Sequence, residues 1–310
     1  PQGGAIGQLA ALDITSGSSW CFTLMDAVHR FLLEDLDIRG ALVQLGPSWS
    51  AMTARRNYAA PVRDLLGELA AVTALIGSNL KTPGRLSFQL QGHGPVSMLV
   101  MDCNEKLQLR GMAKSELDAG ADAHVASAAD LLGDGRLVLT LQPKAAQTPY
   151  QSVVPLTGAT LAQAFEHFLE KSEQQPARLW LTAGAESACG LFLQKLPNAD
   201  ILDPDGWDRI EALAATLRPE ELLLPPETLL TRLFNAENVR LYQPRQAAWH
   251  CPRDEEKVRN MLLSLGREEI ESMLADAEVI AIEDEICGHE YRFGAEILDE
   301  LFPPDGRILH

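Results

Sequence analysis

Positive charge is in short supply: 26 Lys and Arg stand against 43 Asp and Glu, a net charge of −17 over 310 residues. Nucleic-acid binding draws on a local surplus of Lys and Arg to neutralise phosphates, so no such partner is expected. Cysteine is scarce as well. Cys21, Cys103, Cys189, Cys251 and Cys287 are odd in number and widely scattered. That is not a secreted disulfide framework, and the compartment reads as reducing cytoplasm. No stretch approaches the ~20 apolar residues of a membrane helix, so no membrane partner is expected either. The Gly/Ala/Ser-rich first twenty residues carry no basic n-region and read as a loose extension rather than a signal peptide.

Motifs of catalysis are missing too. Gly77-Ser78-Asn79-Leu80-Lys81-Thr82 lacks the glycine that a phosphate loop places before its lysine, and it falls at a helix end rather than after a strand. Gly3-Gly4-Ala5-Ile6-Gly7 lies too near the terminus to follow a strand. Neither a GxSxG elbow nor an HExxH pair occurs. His29, His93, His124 and His167 stand singly and read as surface or satisfied histidines. Cys21, Cys103 and Cys189 read as small hydrophobes. An enzyme is not expected.

What is present is ordinary globular material, 46% hydrophobic and 22% charged. Leu24–Leu36 has helical spacing and Ile38–Leu45 reads as a first strand. Pro61 opens a long amphipathic helix, with Val62, Leu65, Leu66, Leu69, Val72 and Ile76 on one face, ending near Gly84. Alternation then gives strands through Leu86-Phe88-Leu90, Val96–Met101, Leu107-Leu109, Leu137-Leu139-Leu141 and Ser152–Leu156. A helix through Leu161 and Phe165 follows, then strands at Leu179–Leu181 and Leu191–Leu193. Short helices at Trp207–Leu217 and Glu227–Phe234 are separated by prolines. Two helices around Leu262 and Ile270, a hairpin at Cys287-Gly288 and a helix near Leu298 close the chain. The fold class is α+β, with a mixed-sheet N-terminal domain, a helical linker region and a small C-terminal α/β domain. The divisions fall at 1–20 (extension), 21–197, 198–238 (linker) and 239–310. From His250 onward there are 16 Asp and Glu against 6 Lys and Arg, a net −10, so this last part repels itself and is poorly suited to compact folding without help.

Two places carry chemistry: His250-Cys251-Pro252-Arg253 and Asp284-Glu285-Ile286-Cys287-Gly288-His289. Zinc takes four borderline or soft donors in a tetrahedron, and small domains often supply them as two close pairs. Each half here offers one thiol and neighbouring N or O donors. The other reading is two unrelated cysteines in a helical tail.

The order of features resembles the thirty-three-kilodalton heat-shock protein family, the redox-regulated bacterial holdase chaperones. The resemblance is carried by Asp37-Ile38-Arg39-Gly40 with Leu42-Val43, by Ala74-Leu75-Ile76-Gly77, and by Leu90-Gln91-Gly92-His93-Gly94-Pro95. Leu109-Arg110-Gly111-Met112-Ala113, Tyr150-Gln151-Ser152-Val153-Val154, Val239-Arg240-Leu241-Tyr242, Gly266-Arg267-Glu268-Glu269-Ile270 and Cys287-Gly288-His289-Glu290-Tyr291-Arg292-Phe293 continue it. It spans about Phe31 to Phe302.

The resemblance implies a zinc held by a Cys-x-Cys pair and a later Cys-x-x-Cys pair, with oxidation expelling the metal and unfolding the C-terminal domain. Carried over by position, the four places are Cys251, Arg253, Asp284 and Cys287. Two thiols remain, and arginine cannot ligate a metal. The expectation is therefore no cofactor, and an ATP-independent holdase for unfolded client proteins with lost or altered thiol control on Cys251 and Cys287. A disulfide between those two would staple the domain rather than release it, reversing the sign of the switch. The second reading keeps a zinc on Cys251, Cys287, Asp284 and His250 or His289. The third is a non-chaperone adaptor on the same fold. Dimerisation of active forms is a further implication of the resemblance.

Overall fold

Most strands follow from period-two alternation and most helices from apolar residues spaced three and four apart. A computed structural model describes residues 25–80, 82–118, 127–145 and 148–303. The expected extension over 1–20, the Gly3–Gly7 run, Cys21, Lys81 and His124 lie outside the described residues.

The chain opens with β1 (Ala27–Leu33), a 3-10 turn at Glu34–Leu36, β2 (Ile38–Leu45), α1 (Pro47–Thr53) and α2 (Ala60–Ser78). Next come β3 (Gly84–Gln91), β4 (Val96–Asn104), β5 (Gln108–Ser115), α3 (Ala128–Leu132), β6 (Arg136–Pro143) and β7 (Tyr150–Pro155). Then follow α4 (Leu161–Glu173), β8 (Ala177–Ala183), β9 (Ala188–Lys195), α5 (Ala199–Leu202), α6 (Gly206–Ala214), a 3-10 turn at Pro219–Leu223 and α7 (Pro226–Leu233). The remainder is β10 (Val239–Leu241), β11 (Arg245–Gln246), β12 (Ala248–Trp249), α8 (Glu255–Leu265), α9 (Arg267–Asp276), β13 (Ile280–Asp284), β14 (His289–Phe293) and α10 (Glu296–Leu301).

One large sheet runs β10-β1-β2-β9-β8, with β11 also on β1; the other runs β12-β5-β4-β3-β6-β7. Helix α2 lies between them. Its Leu66, Leu69, Val72 and Leu75 are buried in one cluster with Val43 and Phe192 of the first sheet and Leu86, Phe88 and Leu99 of the second. The other face of the first sheet, carrying Phe31, Leu33, Ile38, Leu42, Leu191 and Leu193, is covered by the linker through Trp207, Ile210, Leu222, Leu229, Leu230, Leu233 and Phe234. The α+β class and the helical linker agree with the reading from sequence. A third cluster belongs to the C-terminal part alone, and among the described residues its buried members are six: Leu262, Ile270, Ile280, Tyr291, Phe293 and Ile297.

Three expectations need correction. Leu24–Leu36 is not a helix over its described part, which forms β1 and a 3-10 turn. β1 is an inner strand whose Val28 joins the α2 cluster and whose Phe31 and Leu33 join the linker cluster. With apolar residues sent to both faces and His29 and Arg30 between them, the strand shows no clean alternation, and Leu24, Val28, Phe31 and Leu32 fall at spacings of four, three and one that a helix face also has. The α2 helix stops at Ser78, six residues before Gly84. Gly84 is instead the first residue of β3, where a Cβ would meet the Gln142–Pro143 backbone of β6 at 2.4–3.0 Å. The third concerns the boundary at residue 239. Val239–Leu241 and Arg245–Gln246 pair antiparallel with β1, and Ala248–Trp249 pairs parallel with β5. This stretch therefore belongs by hydrogen bonding to the two large sheets, because backbone polar groups near a core must be paired.

Gly40 shows how one motif residue works. It stands opposite Phe31 in the β1–β2 ladder, and a Cβ there would fall within the Phe31 ring. That ring packs against Phe234 of the linker, with centroids 6.2 Å apart. Gly40→Ala is expected to displace Phe31 and lower stability by about 1–3 kcal/mol, as overpacking does. Thermal unfolding checks this, and an unchanged midpoint would mean that the ring has room to move aside.

Candidate redox site

The residues between β12 and α8 are held in place before any sulfur chemistry is considered. His250 N–H donates to the Leu109 carbonyl of β5 at 3.0 Å, extending the β12 pairing by one residue. Pro252 follows Cys251, and Asp254 caps α8 by accepting from the Lys257 N–H at 3.0 Å. Arg253 Nη2 donates to the Glu290 carbonyl at 2.6 Å, and its guanidinium lies 4.8 Å from the centre of the Tyr291 ring. The Tyr291 hydroxyl accepts from the Asp254 N–H at 2.9 Å.

The other half is the β13–β14 hairpin, in which Asp284 faces His289. Asp284 Oδ1 accepts from the N–H groups of Ile286 (2.9 Å) and Cys287 (3.2 Å), which turns the chain. Gly288 adopts φ 64° in this turn, a left-handed conformation that glycine takes at no steric cost. The turn also touches the large sheets' unit. Arg56 Nη2 donates to the Glu285 carbonyl at 2.5 Å, and Lys114 Nζ pairs with Glu285 Oε1 at 2.6 Å.

These two halves bring Cys251 and Cys287 together. They are joined by a disulfide across 36 residues, with Cα atoms 5.9 Å apart, inside the span that disulfides bridge. Both are buried. His289 lies beside them, and the donor atoms of Cys251, Cys287 and His289 all fall within 4.8 Å of one another. His289 Nε2 is 2.8 Å from the Cys251 carbonyl. A carbonyl only accepts, so it is the Nε2–H that donates in this contact.

Asp284 and His250 are placed otherwise. Asp284 spends Oδ1 on the turn and is not in the three-residue group. His250 lines a polar cleft of about 250 Å³ with Arg85, Asp102, Arg110 and Asp254. Arg253 stacks on Tyr291, so the two positions where the resemblance expects thiols hold a clamp and a turn cap. Of the sequence candidates the fold thus assembles Cys251, Cys287 and His289. Glu285, whose contacts dock the hairpin turn, carried no signal in the sequence because its role depends on Arg56 and Lys114, each more than 150 residues away. Cys103 and Cys189 are buried, and burial pushes each thiol up to about 12. They are inert at neutral pH and behave as the small hydrophobes expected.

Glu68 is a second group that spacing did not mark. It sits on α2, largely enclosed, at the border of two clefts, one with Pro61, Leu131 and Leu161 and the other with Leu179, Trp180 and Leu217. Burial, reinforced by the Asp64 charge, raises it from 4.5 to about 7. Below pH 4.5 both folded and unfolded chains hold this proton. As pH rises from 4.5 to about 7 the unfolded chain releases it first, so stability falls across that window and the loss is complete above it. The expected loss is on the order of 2 kcal/mol, allowing for partial solvent screening. Glu68→Gln should flatten this slope in denaturant unfolding at pH 5 and pH 8, and an unaltered slope would remove Glu68 as its cause.

No helix among the described residues is long and apolar enough to cross a membrane. The chain matches the family model described as Hsp33 protein over residues 26–294. It is 38% identical over 284 residues to the 33 kDa chaperonin of Methylobacillus flagellatus, covering 90% of this chain and 95% of that protein. It is 40% identical over 278 residues to the 33 kDa chaperonin of Nitrosococcus oceani, covering 89% and 94%. Among solved structures, the 33 kDa chaperonin (heat shock protein 33 homologue) of Thermotoga maritima superposes with a TM-score of 0.77 at 22% identity, covering 89% of this chain and 97% of that one. At that identity the likeness speaks for the fold.

Proposed function

The chain belongs to the Hsp33 family, and on that premise we propose that it is an ATP-independent holdase of the cytoplasm whose thiol control is reversed in sign. Relatives named 33 kDa chaperonin support the chaperone function. The observation that carries the mechanism is the linker. Trp207, Ile210, Leu229, Leu230 and Phe234 cover an apolar sheet face bearing Phe31, Leu42 and Leu191. Lifting the linker uncovers two apolar surfaces at once, which is what an unfolded client needs. The linker is continuous with β10–β12, and those lead directly into Cys251.

The Cys251–Cys287 bond closes the C-terminal part on itself. Forming it takes two thiols and one peroxide to one disulfide and two waters, and the product is a cross-link in a unit with a core of six buried side chains. Such a small core depends on a staple. Oxidation therefore tightens the C-terminal part, and reduction with heat loosens it and frees the linker. Arg253 and Asp284 support this reading, because at the two positions where the resemblance places thiols Arg253 holds the Glu290 carbonyl and Asp284 caps the hairpin turn. The test is aggregation of a heat-unfolding client followed by light scattering, with the parent chain and with Cys251→Ser/Cys287→Ser. The double variant is expected to suppress aggregation under both reducing and oxidising conditions. If it suppresses none while the oxidised parent does, the reversed sign is wrong.

The three-donor group favours one second reading, in which the reduced thiols and His289 hold a zinc ion. The donors fit a three-ligand site, and a bound ion would supply the same cross-link as the disulfide. Cobalt titration of the reduced chain, read by thiolate charge-transfer absorbance, is expected to saturate at one ion and to be lost in Cys287→Ser. No absorbance change in the reduced parent would end this reading and leave the chain without a cofactor.

A further inference from the structure

The second sheet ends at β7, and that edge differs from the other sheet edges. β8, the edge of the first sheet, is plugged: its Leu179 N–H donates to Glu166 Oε1 of α4 at 2.7 Å. The opposite edges are short, three residues in β10 and two each in β11 and β12. β7 runs for six residues and, among the described residues, has β6 as its one neighbour in the sheet. Open edges are where another chain adds a strand, and proteins commonly shorten, charge or cover them.

The register shows which backbone groups of β7 face outward. Leu156 N–H donates to the Gly135 carbonyl at 2.9 Å, and the same ladder sets Val154 opposite Leu137 and Ser152 opposite Leu139. Hydrogen-bonded pairs alternate with non-bonded pairs in an antiparallel ladder. Val154, Ser152 and Tyr150 therefore bond inward to β6, while Gln151 and Val153 turn both N–H and C=O away from it. Among the described residues nothing pairs with those outward groups. Pro149 and Pro155, which have no N–H, bracket the window. Two large hydrophobic side chains at this edge are exposed, Tyr150 at 60% and Val153 at 56%, with the polar Gln151 and Ser152 between them. Val153 stands opposite Val138, a buried residue on the sheet face away from α2.

We infer that the β7 edge receives an extended segment of an unfolded client as an added strand, bonded to Gln151 and Val153 and packing an aliphatic side chain beside Val153. This deepens the holdase reading and rests on it. An unfolded polypeptide has free backbone donors and acceptors where a folded protein has almost none. A site that reads backbone is therefore selective for the unfolded state and indifferent to sequence. Two outward residues between prolines make the added strand short and the contact readily reversible.

Two measurements on the full chain test this, using a reduced and alkylated polypeptide that stays unfolded as the probe. Hydrogen exchange at the Gln151 and Val153 amides is expected to slow by about tenfold or more when the probe is added. Val153→Pro removes one outward N–H at a position that gives no bond to β6, which edge strands tolerate, and Val153→Lys keeps the backbone but charges the edge. Both are expected to weaken probe binding, read by fluorescence anisotropy, by about tenfold. Binding with unchanged exchange at these amides and unchanged affinity in both variants would place the client elsewhere and leave the holdase reading intact. Protection that rises with protein concentration and no probe would assign the edge to a second copy of the chain instead. If the parent binds no probe in either redox state, the holdase reading falls and this inference falls with it.

Discussion

Breaking the Cys251–Cys287 bond is expected to destabilise the C-terminal unit by about 4 kcal/mol on the chain-entropy account of a loop of this length. The bond closes 36 residues that include α8, α9 and β13. What else holds that unit is modest. Its buried cluster has six members among the described residues, its i,i+4 ion pairs Arg259–Glu255 and Arg267–Glu271 lie at the surface and are worth about 0.3–0.5 kcal/mol each, one longer-range pair joins Arg259 to Glu300 of α10, and its acidic surplus works against compaction. The Arg253–Glu290 and Asp254–Tyr291 contacts fix orientation more than stability. Hydrogen exchange in α8 and α9, with and without reductant, checks the expectation. Rates should rise by up to about a thousandfold on reduction. Equal rates would mean that the bond is incidental to the fold of this unit.

Phe234→Ala should be the most damaging single change in the linker. The side chain is 1% exposed and packs on Phe31, whose own ring sits over Gly40. Truncating a buried phenylalanine typically costs about 3–5 kcal/mol, and here the loss falls between the linker and the first sheet. The linker is expected to detach while the cluster around α2 stays folded, because Phe234 belongs to the former cluster and not the latter. Limited proteolysis between residues 206 and 234 should accelerate, and client aggregation should be suppressed whatever the thiol state. A uniform loss of folded structure without gain of suppression would show that the linker is structural only.

Much of this fold was legible because strands half-exposed at one face announce themselves by alternation. Leu86, Phe88 and Leu90 and then Leu137, Leu139 and Leu141 are such strands, and their hydrogen-bonded positions agree with the pattern. β1 was not legible, since a strand covered by α2 on one side and the linker on the other loses its alternation. The end of α2 was misjudged for a related reason: Gly84 serves close backbone approach to β6 rather than a helix terminus, and the residue type is the same for both. At the redox site the two thiols and His289 were visible as candidates. Their selection over Asp284 and His250 was not, because it depends on the turn that occupies Asp284 and on the β5 contact that turns His250 into a separate cleft. Glu68 was invisible in the sequence because enclosure between α2, α4 and the linker is a property of the assembled layers.

A holdase stapled by oxidation rather than released by it reveals itself in one comparison. Light scattering of a heat-unfolding client is followed with the reduced and the peroxide-treated chain side by side. Strong suppression by the reduced chain and weaker suppression after peroxide are expected. Suppression that appears only after peroxide, or in neither state, would contradict stapling by oxidation.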